Sequence, residues 1–85
     1  MDVEVTEIVP GELDVRMRDG TRCRVIVPAG VGIPGVDDET FAAGLVGELL
    51  ARGRTVPAVV DASSVLRHDP DIIAAVADSA ERRRP

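Results

Sequence analysis

Three glycines, Gly30, Gly32 and Gly35, stand at the spacing G-x-G-x-x-G within the run AGVGIPGVDDE, between a β-branched segment (22–27) and a helix-like one (40–50). In dinucleotide-binding folds this spacing lets the backbone approach a pyrophosphate seated on the N-terminus of the following helix. An acidic residue at the end of the next strand then holds a ribose hydroxyl. Asp61 could take that part only if residues 55–60 formed a parallel strand. Three features oppose such a site. Asp37, Asp38 and Glu39 bring negative charge to the helix end that should meet the phosphate, and Pro34 stiffens the turn before the third glycine. The preceding strand also belongs to an antiparallel meander, with too little chain left for a doubly wound sheet. Gly30, Gly32, Gly35 and Asp61 are therefore the alternative ligand-binding set, and a capped connecting loop is the expectation.

Ser64 and His68 are four residues apart and could share a helix face, as a nucleophile and its base would. The orienting acid is missing: Asp61 lies seven residues from His68, about 10 Å along a helix axis. Asp69 and Asp71 flank Pro70, the arrangement of a helix start. One imidazole with loosely spaced carboxylates is no zinc pattern, and Cys23 is remote from it in sequence. No metal, no cofactor and no catalytic residue are expected, and the chain is not expected to be an enzyme.

The elements that position these residues follow from patterning. β-Branched residues dominate 3–27, with breakers at Pro10-Gly11 and Asp19-Gly20, which gives a three-stranded antiparallel meander. A two-residue Asp19-Gly20 loop would set Met17 opposite Arg22, mixing core with solvent. A three-residue loop, Arg18-Asp19-Gly20, instead pairs Val15 with Cys23 and Leu13 with Val25, and puts Gly20 at the left-handed position. Arg16, Arg18, Arg22 and Arg24 then share a solvated face.

Asp37 or Asp38 caps one long helix, about 38–52, in which Phe41, Ala42, Leu45, Val46 and Leu49 fall at helical spacing and Gly53 ends the run. Gly44 and Gly47 lie inside it, either where another backbone packs closely or where exposure tolerates them. Residues 55–60 fit a fourth strand or a helical turn with Pro57 near its start, and we take the helical turn. Asp61 caps a short helix through Leu66 and Arg67, and Asp69-Pro70 opens another, striped with Ile72, Ile73, Val76, Ala77 and Ala80. The whole is one small α+β domain, 1–85: a meander, one long helix, and two or three shorter C-terminal helices.

A hairpin carrying Asp19-Gly20, a strand ending V-x-V-P (Val25, Pro28), the segment GIPGVDDE, a helix ending LLAR, and D-x-S with Pro seven residues after the serine (Asp61, Ser63, Pro70) follow in order. Together they resemble uncharacterised short bacterial proteins in which a β-meander precedes helices. The resemblance covers about residues 19–70 and implies no activity.

A domain of 85 residues buries only about 60 to 65% of the surface its unfolded chain exposes. Phe41 is the only aromatic residue, so Val, Ile, Leu and Ala must build the core. The formal charge of -5 opposes nucleic-acid binding, and the arginine face lacks the rings that stack on bases. All ten basic residues are Arg, and Lys, Asn and Gln are absent, a bias typical of GC-rich bacterial genomes. With one cysteine, no hydrophobic leader and no long apolar run, a location in the cytoplasm and no membrane partner are expected. These features point to a small non-catalytic protein-interaction or structural module. Its partner is a protein or a second copy, and Ile72, Ile73, Val76 and Ala80 are the expected interaction surface.

Overall fold

The computed structural model describes residues 3–82. Strands β1 (Val3–Val9), β2 (Glu12–Met17) and β3 (Arg22–Ile26) form the meander. Leu13 pairs with Val25, Asp14 with Arg24 and Val15 with Cys23, as the three-residue loop requires. Gly20 has φ 90°, and Met17 and Thr21 close the loop through Met17 N–H donating to the Thr21 carbonyl at 2.8 Å. The register puts Leu13, Val15, Met17, Cys23 and Val25 on the inner face, all of them buried. Arg16, Arg22 and Arg24 stand exposed on the outer face.

Helix α1 (Asp38–Ala51) follows and carries the chain back across the inner face, so that the next segment runs parallel to β3. This corrects two expectations at once. Residues 55–60 do not form a helical turn, and the sheet is not a three-stranded antiparallel meander: Val59–Asp61 is a strand, β4, and the sheet is four-stranded and mixed, in the order β1-β2-β3-β4. Pro57 disfavours helical backbone at Val56, and the β-branched Val59 and Val60 find the open side of β3. Arg24 N–H donates to the Ala58 carbonyl at 2.8 Å, which starts the ladder just after the residue that has no N–H to give.

Helices α2 (Ala62–His68) and α3 (Ile72–Arg82) complete the described chain. α1 is apolar on more than one side because it has two neighbours, the sheet and α3. Phe41, Ala42, Leu45, Val46 and Leu49 join the strand residues in one core, which Ile72 and Val76 extend from α3. The C-terminus of α1 is also tied to the α2–α3 junction. Arg54 grips Asp69 with both guanidinium ends, at 2.9 and 2.6 Å, and Arg52 reaches Asp71 at 3.2 Å. The two aspartates read from sequence as helix-start residues are thus partners of the arginines that follow α1.

Candidate functional site

The glycine loop leaves β3 and consists of two consecutive turns. Val31 N–H donates to the Pro28 carbonyl, and Val36 N–H to the Ile33 carbonyl, each at 3.0 Å. Gly30 and Gly35 occupy the third position of these turns with φ near 80°, while Ala29 and Pro34 before them keep negative φ. That is the type II pattern, which requires glycine at the third position and favours proline at the second. Local backbone geometry accounts for both glycines without a ligand. The turns deliver Asp37 to the start of α1, where its Oδ1 accepts from Thr40 N–H at 2.8 Å. This hydrogen bond holds the Asp37 carboxyl below the usual aspartate range. A carboxylate therefore occupies the place at which a phosphate would have to sit.

β4 changes the standing of Asp61. β3 and β4 are parallel, with Ile26 beside Asp61 in register, so the glycine loop and Asp61 both leave the carboxyl ends of adjacent parallel strands. Ligands of α/β sheets bind at such ends. Asp61 is nevertheless engaged locally: its Oδ1 accepts from Ser63 N–H at 3.0 Å and from Ser63 Oγ at 2.7 Å, capping α2. These bonds to Ser63 keep its carboxyl low.

Ser64 and His68 line a cleft of about 360 Å³ together with Asp61, Asp69, Pro57 and Val59. The sequence-predicted pair does meet at one depression, and the glycine loop is not part of it. Asp69 is committed to Arg54 and Asp61 to Ser63, so the nearby carboxylates already have partners. Among the described residues no group of three or more His, Cys, Asp or Glu is placed to hold a metal ion.

Three members of the expected interaction surface lie inside the molecule. Ile72, Val76 and Ala80 are buried, and only Ile73 is exposed. The reason is α1: its Gly44 lets α3 approach closely at Val76 and consume that stripe.

A second cleft, which sequence reasoning missed, runs beside β1. About 440 Å³ in volume, it lies between that strand and the start of α1, lined by Val3, Glu4, Val5, Asp37 and Glu39 with Thr6 and Thr40. Among the described residues β1 is an edge strand, bonded to β2 alone. The first strand of a meander is an edge unless something returns to cover it, and the sequence gives no sign of which side a fourth strand would join. No helix among the described residues is long and apolar enough to cross a membrane. Comparisons with known protein families, with curated proteins and with solved structures return no match.

Proposed function

We propose that this chain is a small non-catalytic protein-interaction module that docks its partner along the edge of β1. The observation that carries this reading is that edge itself: seven residues long, joined among the described residues to the sheet on one side only, with Ile8 and Val9 exposed near its end. Strand edges present unsatisfied N–H and C=O groups and are a recurrent means of binding extended chains. The engagement of Asp61 and Asp69 by Ser63 and Arg54 supports it, because the two carboxylates that share a cleft with His68 are already held by other partners.

The test is a photoreactive residue in place of Thr6, compared with one at Asp78 on the exposed side of α3, in the native host cell. Discrete protein adducts at Thr6 and none at Asp78 are expected. Absence of adducts at Thr6 would overturn the reading.

The parallel pairing of β3 with β4 favours a second reading, a small-ligand or nucleotide-binding protein using Gly30, Gly32, Gly35 and Asp61. Under that reading a saturable small ligand perturbs the backbone signals of the glycine loop.

A further inference from the structure

We propose that the partner of the β1 edge is an extended peptide segment rich in Lys and Arg. This inference rests on the interaction reading above and names the chemistry of the occupant.

The edge provides the main-chain part. In an antiparallel pair, alternate residues direct their N–H and C=O toward the partner strand, and the others point away. Those of β1 that point away from β2 face the open side of the sheet. A register irregularity between Glu7 and Val9 bends the strand, so regular pairing with an added strand is confined to residues 3–7. Five residues of extended chain suit a peptide better than a whole sheet.

The cleft provides the selection. Among the described residues Glu4, Asp37 and Glu39 line it and no Arg does. Glu7, also exposed, continues the acidic edge. The positive end of the α1 dipole amounts to about half a unit charge and does not cancel three carboxylates. An incoming strand places alternate side chains on the α1 side of the sheet, over Val3 and Val5, both half-buried. Lys and Arg fit there because their aliphatic stems cover the valines while their charged ends reach Asp37 and Glu39. Side chains on the other side meet Glu4.

The same charges refuse the competing occupants. A second copy of β1 would bring two more glutamates to the ladder and no basic residue, between chains that each carry -5. Nucleic acid meets Glu4 and Glu7 along this strand and Asp37 and Glu39 beside it, while Arg16, opposite Glu4, stands one strand further in.

The experiment uses the full chain and three labelled twelve-residue probes: alternating Arg and Val, alternating Glu and Val, and an Arg-Val peptide with proline at every second valine. Fluorescence anisotropy at low salt measures affinity, and amide exchange locates binding. The Arg-Val peptide is expected to bind and to protect amides within residues 3–7. The Glu-Val peptide is expected not to bind. The proline peptide, equal in charge but short of donors, is expected to bind at least about tenfold more weakly. Glu4→Lys with Glu39→Lys should weaken the Arg-Val peptide by about tenfold or more, and Glu4→Gln with Glu39→Gln by less, with circular dichroism confirming the fold of each.

Undiminished affinity in the charge-reversed protein, equal binding of the proline peptide, protection confined to other segments, or self-association through β1 would each overturn the proposal. The two levels separate cleanly. If Thr6 adducts persist in cells expressing the charge-reversed protein, the interaction module stands and the basic-peptide inference fails. If the native protein gives no Thr6 adduct, the interaction reading itself fails.

Discussion

Gly44 of α1 faces Val76 of α3 so closely that a Cβ built on the glycine would lie 2.9 Å from Val76 Cγ1. That distance is below any ordinary carbon contact. The glycine therefore sets the separation of the two helices, and through it the burial of Ile72 and Val76.

Gly44→Ala is expected to destabilise the protein by about 1 to 3 kcal/mol, because the buried, β-branched Val76 cannot swing aside. The gain in helix propensity, up to about 1 kcal/mol, does not offset this. Adding Val76→Ala should recover part of the loss, so that the two substitutions are non-additive in urea unfolding. Gly47 offers the contrast. Nothing lies within 4 Å of a Cβ built there, so Gly47→Ala should stabilise by up to about 1 kcal/mol. A stabilising Gly44→Ala would show that α3 is not held as described.

Asp37→Ala should cost about 1 kcal/mol by removing the cap of α1. Asp19, Asp37 and Asp61 all have carboxyls held low by hydrogen bonds, from Thr21, Thr40 and Ser63 respectively. A depressed carboxyl pKa in the folded state gives stability that is full above the ordinary aspartate range and is lost as pH falls through the lowered values. Urea midpoints should therefore decline on the acid side, and Asp37→Ala should make that decline shallower. An unchanged acid slope would remove Asp37 from its cause.

Calorimetric titration with NADH or ATP should show no saturable heat, since Asp37, Asp38 and Glu39 crowd the helix end that a phosphate would need. Saturable binding that disappears in Gly32→Val would reverse this and restore the glycine loop as a ligand site.

Cys23 sits on the inner face of β3 at 2% exposure. Burial, with a smaller contribution from Asp14, pushes its thiol above the usual range. A neutral, covered thiol reacts slowly. Modification by a thiol reagent should follow the fraction unfolded across a urea series. Rapid labelling of the native protein would contradict the packing of this strand.

Periodicity and turn chemistry act between near neighbours, and what depends on them was legible in the residues. The three-residue loop at Gly20 followed from which register keeps Leu13, Val15, Cys23 and Val25 on one face. The start of α1 at Asp37 or Asp38, of which the structure uses Asp37, and the cap of α2 at Asp61 followed from the side chains able to accept from a helix's first N–H groups. Tertiary structure decided the remainder. Val59–Asp61 is too short to declare itself a strand and becomes one only because β3 has an open side to which α1 returns the chain. The stripe Ile72, Val76 and Ala80 looked available for a partner until Gly44 admitted α3 against α1. Glu4 and Glu39 lie 35 positions apart in sequence and border one cleft only because α1 begins beside β1. Distances between such segments depend on how the layers stack, which no local pattern in the chain encodes.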